Sequence, residues 1–193
     1  MKLILASASP RRLELLKRMG FTPDEVIPAD IDESVRKKEK PEDYVKRVAE
    51  EKALKVRDQR PETSNKEFIL AADTTVVCAN QILGKPEDRA DAQRIIKIMC
   101  GRKHKVLTAI CVISPSGEKR VKLVVTSVKF KNATDNEIEE YLNSNEWVGK
   151  AGAYGLQGDS GGFVITINGS FSSVVGLPMY ETKNMLLGLG FKR

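Results

Sequence analysis

The sequence predicts an α/β fold built on a mixed β-sheet with flanking helices. Strand-like and helix-like segments alternate along the chain, yet several strand pairs are joined by short hairpin-type turns, which a purely parallel sheet does not allow. No convincing linker and no 20–50-residue repeat interrupts this pattern, so residues 1–193 are expected to form a single domain.

The elements follow in order. Residues 2–6 (KLILA) read as a short buried strand. Ser9 and Pro10 open a helix as N-cap and first helical residue. Leu13, Leu16 and Gly20 lie on one helical line and Leu15 and Met19 on another, with Gly20 as the stop. Residues 26–40 are a strand or loop ending in charge, and Pro41 begins a second helix that reaches about Arg57. The polar stretch 58–66 is an exposed loop. Residues 68–79 (FILAADTTVVCA) form a buried strand, and Asn80-Gln81 turns it into a second strand ending near Gly84. A third helix spans about Asp88 to Cys100, with Ile95, Ile96 and Met99 inward and Gly101 after it. The β-type stretches 105–114 and 119–130 are joined by Pro115-Ser116-Gly117. Thr134-Asp135-Asn136-Glu137 is a capping box that opens a fourth helix. Residues 163–168 and 171–176 suggest a final hairpin around Asn168-Gly169, and Pro178 starts a closing helix.

Composition removes whole classes of function. The chain is 41% apolar and 30% charged, an ordinary folded mixture. No apolar run approaches the ~18 residues that span a bilayer, and the apolar stretch in MKLILASASPRR is too short for a signal peptide. A cytoplasmic chain with no membrane partner is expected. Cys78, Cys100 and Cys111 contain no CxxC pair, which argues against disulfide scaffolds and cysteine zinc sites and leaves them as small core residues. His104 is the sole histidine, so His-based triads and poly-His metal sites are excluded; it is expected at the surface. The net charge of +6 suits anionic ligands from nucleotides to nucleic acid. Aromatics, at 6%, form no stacking platform of the kind single-strand binders use.

Four places could carry chemistry. Ser7-Ala8-Ser9-Pro10-Arg11-Arg12 lies at a strand-to-helix junction, where free N–H groups bind phosphate readily. Two arginines in the first turn oppose the dipole preference, which makes sense around an anion; a plain Ser cap beside two solvated arginines is the alternative. Lys52 falls inside the apolar stripe of Val45, Val48, Ala49, Ala53 and Val56, so it must snorkel, pair, or point into a polar cleft. Asp73 interrupts an apolar strand, where an unpaired carboxylate is costly. With the Asp32-Glu33 pair it could supply hard oxygens to Mg²⁺ or Mn²⁺, although an exposed acidic loop equally accounts for Asp32-Glu33. The stretch Gly149 to Gly158 is rich in glycine but matches neither the P-loop nor the GxGxxG spacing; it is a flexible bend or a binding loop. Its Gln157 has an amide able to read a base edge. Lys85 and Arg102 add loop cations, and Trp147 reads as packing.

Taken together, SASPRR at 7–12, Asp32-Glu33, Glu51-Lys52-Ala53, Ala72-Asp73-Thr74, Leu83-Gly84-Lys85-Pro86, Gly101-Arg102, the segment Lys150 to Gly158, and Val174-Val175-Gly176-Leu177-Pro178 resemble the Maf family of septum-formation-inhibitor-like nucleotide pyrophosphatases. The resemblance covers essentially the whole chain. It implies an elongated mixed sheet flanked by helices, two lobes around a cleft, kinship with the inosine-triphosphatase-like fold, and often a homodimer. It implies hydrolysis of a nucleoside triphosphate to the monophosphate and pyrophosphate with a divalent metal. By position, Asp73 matches the proton acceptor, Arg11, Thr74 and Gln157 match positions linked to substrate choice, and Ser9, Arg12, Glu33, Lys52 and Lys85 match other polar cleft positions. With the reading from the residues, Lys52 and Glu33 are expected beside Asp73 in catalysis, Glu33 and Asp73 on the metal, and Ser9, Arg11, Arg12, Thr74, Lys85 and Gln157 on the substrate. Asp73-Thr74 and Gln157 look like the branch that prefers dTTP and UTP. Ser170-Phe171-Ser172-Ser173 departs from the commoner Ser-Tyr-Tyr/Ser-Asn segment. Two other readings stay open: housecleaning of modified nucleotides, and a non-enzymatic nucleotide- or nucleic-acid-binding regulator of septum formation. The scattered Lys and Arg residues and the acidic set argue against nucleic acid as partner.

Overall fold

A computed structural model describes residues 1–192. Its seven strands are β1 (Lys2–Ala6), β2 (Glu25–Val26), β3 (Glu67–Cys78), β4 (Gln81–Leu83), β5 (Lys103–Ile113), β6 (Lys119–Phe130) and β7 (Val164–Asn168). Its six α-helices are α1 (Pro10–Arg18), α2 (Pro41–Asp58), α3 (Arg89–Met99), α4 (Asp135–Asn143), α5 (Phe171–Val175) and α6 (Met179–Gly188). The strands form one sheet in the order β2-β1-β3-β5-β6-β7, with β4 paired to β3. Pairing is mixed as expected: β1 runs parallel to β2 and β3, whereas β4 on β3 and β7 on β6 are antiparallel.

The chain divides into two compact units. Among the described residues the first comprises 1–73, 108–124 and 176–192, and the second 74–107 and 125–175. In the first, β1 and the first half of β3 are buried almost completely, and α2 lays Val45, Val48, Ala49, Ala53 and Val56 into the core. Phe191 packs edge-on to both Phe21 and Phe68. The second unit has its own core, in which Ile95, Ile96 and Met99 of α3 meet Val128 and Phe130 of β6 and Ile138, Tyr141 and Leu142 of α4. Trp147 belongs to this core, as its reading as a packing residue anticipated.

The helix starts follow from their caps. Thr134 accepts from the Glu137 amide while Glu137 accepts from the Thr134 amide, the full capping box read from the sequence. Asp88 caps α3 by accepting from the Asp91 amide. Ser9 stands at the N-cap of α1 and Pro10 at its first position, but the Ser9 hydroxyl makes no capping bond. Its amide donates to Ser7 Oγ at 3.2 Å instead.

Two expectations are corrected. Residues 171–176 are not the return strand of a hairpin; α5 occupies Phe171–Val175, and β7 pairs back to β6. Ser170 explains the change: its hydroxyl accepts from the Ser173 amide and its carbonyl from the Val174 amide, so the chain coils immediately after Gly169. His104 is not a surface residue. It is 2% exposed, held between the edges of Phe130 and Tyr154 with ring centroids at 4.8 and 5.4 Å. Cys78 and Cys111 are buried free thiols and Cys100 is half-buried, in keeping with a packing role.

Candidate active site

The site grows from the two features that looked wrong in the sequence, a lysine in an apolar stripe and an aspartate in an apolar strand. Asp73 sits midway along β3 and Lys52 three turns into α2. Lys52 Nζ donates to Asp73 Oδ1 at 2.8 Å, and the two side chains are 9% and 8% exposed. Of the three fates open to Lys52, pairing is the one observed. Each charge resolves the burial cost of the other.

Glu33 completes a triad of charge. Its Oε1 lies 3.0 Å from the same Lys52 Nζ. Glu33 belongs to the segment 27–40, which contains no helix or strand, so its backbone is held by side chains of α2. The Tyr44 hydroxyl donates to the Glu33 carbonyl at 3.0 Å. Burial, with the charges of Asp73 and Glu33, pushes the Tyr44 hydroxyl up to about 12, so it remains a donor across the physiological range.

Arg12 brings the cation of the chain's first helix to this cluster. Its Nε donates to the Gly176 carbonyl at 3.0 Å and its Nη1 to Ser7 Oγ at 3.2 Å. Burial pulls the guanidinium below its ordinary value, Asp73 and Glu33 pull it back up, and neighbouring Arg11 lowers it. It stays charged regardless. Lys52 thus contacts both carboxylates, and Arg12 feels the charges of Asp73, Arg11 and Glu33.

The carboxylates that could hold a divalent ion are Glu33 and Asp73. Among the described residues no group of three or more His, Cys, Asp or Glu gathers. Glu33 and Asp73 nevertheless direct one oxygen each to a single point, where the Lys52 ammonium is held. Two hard carboxylates are the share that Mg²⁺ or Mn²⁺ takes from a protein when substrate phosphates supply further oxygens.

The remaining sequence candidates lie as follows. Ser9 caps α1 in position only and is half-buried; Arg11, also half-buried, follows it in the first turn. Thr74 is half-buried on β3, and Lys85 and Gln157 are exposed on loops; these three belong to the second unit. Sequence reasoning passed over the Ser7 hydroxyl, the Gly176 carbonyl and Tyr44. Ser7 and Gly176 lay inside quoted motifs, but a backbone acceptor 164 positions from its donor leaves no local signal.

Fold and cluster together define a mixed α/β protein that gathers buried carboxylate and cationic side chains at one place in its first unit. The profile of the Maf-like protein family matches residues 2–189, and the chain belongs to that family. A dTTP/UTP pyrophosphatase of Caulobacter vibrioides is 50% identical over 190 residues, 98% of this chain and 96% of that protein. One from Hyphomonas neptunium is 47% identical over 99% of this chain and 97% of its own length. A nucleoside triphosphate pyrophosphatase of Anaplasma phagocytophilum is 47% identical over 96% of this chain and 94% of its own. Among solved structures, the Staphylococcus aureus Ham1 protein aligns with 69% of this chain and 73% of its own at 16% identity and a TM-score of 0.45. No helix among the described residues is long and apolar enough to cross a membrane.

Proposed function

We propose that this chain is a nucleoside triphosphate pyrophosphatase that converts dTTP or UTP and water to the nucleoside monophosphate and pyrophosphate. The observation that carries the reading is the Lys52 ammonium held jointly by Asp73 and Glu33, at 2.8 and 3.0 Å. Relatives covering nearly the whole chain carry the names dTTP/UTP pyrophosphatase and nucleoside triphosphate pyrophosphatase. A non-enzymatic regulator of septum formation is not favoured by those names.

In this reading water attacks the α-phosphorus, the α–β bridging bond breaks, and pyrophosphate leaves with the electron pair. Asp73 orients the water and takes its proton. Lys52 keeps Asp73 in place and offsets its charge. Arg11 and Arg12 neutralise the triphosphate, which approaches the N-terminal end of α1 near Ser9. Glu33 and Asp73 would hold Mg²⁺ or Mn²⁺, which would supply charge neutralisation and a more acidic water. Lys85 contributes a further phosphate cation, and Thr74 and Gln157 read the base. The chain acts as one functional domain of residues 1–193, in the cytoplasm, as a homodimer.

The test is a screen of common and modified nucleoside triphosphates with and without divalent metal, identifying both products. Pyrophosphate and monophosphate from dTTP and UTP support the reading. Orthophosphate with a nucleoside diphosphate, or no turnover alongside salt-sensitive DNA binding, contradicts it.

A further inference from the structure

Arg47 does more in this structure than its place on α2 requires. Its Nη2 donates to the Ser34 carbonyl at 2.9 Å, one residue beyond Glu33. Its Nε and Nη2 form a fork on the two oxygens of Glu39, at 2.6 and 2.9 Å, at the far end of the same irregular segment. Its Nη1 donates to Glu51 at 2.9 Å, one turn further along α2. The guanidinium also lies over the Tyr44 ring, 5.6 Å from its centroid. Tyr44 in turn holds the Glu33 carbonyl. Arg47 and Glu39 are only 13% and 10% exposed, so this is a poorly screened fork rather than a loose surface pair.

The segment also bonds to itself. Asp32 accepts from the Ser34 amide and hydroxyl, and Glu39 accepts from the Arg36 amide. These bonds shape local turns but do not place the segment on α2. Arg36 adds an exposed tie to Glu51. Besides the ion pair of its carboxylate with Lys52, Glu33 is bracketed from α2 by Tyr44 on its own carbonyl and Arg47 on the next one.

We propose that Arg47, with Tyr44, is a positioning residue for the reaction: it clamps both ends of the 33–39 segment to α2 so that the Glu33 carboxylate reaches the point it shares with Asp73. The inference rests on the assignment of Glu33 to the reaction. Neither Arg47 nor Tyr44 need touch substrate; both act through Glu33. A guanidinium suits the task because one planar fork serves a carboxylate while its other edge serves a carbonyl, which a lysine cannot reproduce.

The experiment is a set of double-mutant cycles on the full chain with dTTP and Mg²⁺, using Arg47→Met, Arg47→Lys and Tyr44→Phe alone and combined with Glu33→Gln. Arg47→Met is expected to lower kcat by roughly 10–100-fold, the usual effect of losing a group that orients a ligand. Arg47→Lys should recover only part of that, and Tyr44→Phe should cost several-fold. With Glu33→Gln already present, each of these losses should shrink to less than about twofold. Amide hydrogen exchange at residues 33–36 should accelerate in Arg47→Met without any ligand, a readout independent of activity. Equal losses with and without Glu33→Gln, or unchanged exchange, would overturn the proposal while leaving the pyrophosphatase reading intact. Wild-type turnover in Glu33→Gln alone would remove Glu33 from the reaction and overturn the proposal with it. If Arg47→Met does not fold, Tyr44→Phe, which removes one oxygen, decides by the same cycle.

Discussion

Lys52 and Asp73, 21 residues apart, meet through a 2.8 Å hydrogen bond in which neither side chain is more than a tenth exposed. Breaking such a pair leaves a buried charge without compensation, whereas removing both partners does not. Lys52→Met should therefore destabilise the chain by about 3 kcal/mol, and Lys52→Met/Asp73→Asn by less than the sum of the single changes. Urea unfolding of the four proteins measures this; strictly additive losses would show that the pair is not coupled.

His104 predicts an acid limb of stability. Burial lowers its pKa from 6.5 to about 4, its Nε2 is bonded to Tyr154 at 2.8 Å, and its Nδ1 has no partner among the described residues. Between those two values the unfolded chain binds the proton that the folded chain refuses. Stability from this residue is thus full above pH 6.5 and is lost as pH falls towards 4, by about 3 kcal/mol in all. His104→Gln should flatten the loss between pH 7 and pH 4.5 in urea titrations. An unchanged slope would mean that His104 titrates freely in the folded state.

Gly152 has no room for a side chain. Its φ is +68°, and a Cβ there would stand 2.7 Å from Val76 Cγ2. Its amide donates to the Gly84 carbonyl at 2.9 Å, so the backbone cannot retreat without losing that bond. Gly152→Ala should cost about 2–3 kcal/mol, from positive φ and overpacking together. Thermal or urea unfolding checks it; a loss under about 0.5 kcal/mol would show that the segment moves aside.

The proposed function makes Thr74 and Gln157 the residues that select the base. Gln157 is exposed on its loop, so Gln157→Ala should leave the melting temperature nearly unchanged. Gln157→Ala or Thr74→Ala should narrow the preference between pyrimidine and purine triphosphates, read as a ratio of kcat/KM values. Equal losses on every nucleotide would argue against base recognition.

How much of this was legible in the sequence depended on whether the signal was local. The capping box at Thr134, the Pro10 start of α1 and the apolar face of α2 are each written within one or two helical turns, and all appear in the fold. Lys52 and Asp73 were visible as anomalies, because a charge in an apolar pattern demands a partner; the identity of that partner was not visible. The 171–176 segment was misread because Val174 and Val175 favour strands, while the serine cap that turns them into helix acts through backbone bonds. His104 was misread because burial of a histidine depends on aromatic neighbours 26 and 50 positions away. Arg47 gave no signal at all, since its fork partner lies before α2 in a segment without periodicity.

The most direct test of the account is the turnover of Asp73→Asn with dTTP and UTP in the presence of Mg²⁺, following both monophosphate and pyrophosphate. If Asp73 takes the proton from the attacking water, turnover should fall by roughly 10²–10⁴ while a folded chain still binds nucleotide. Wild-type turnover in Asp73→Asn would contradict the account.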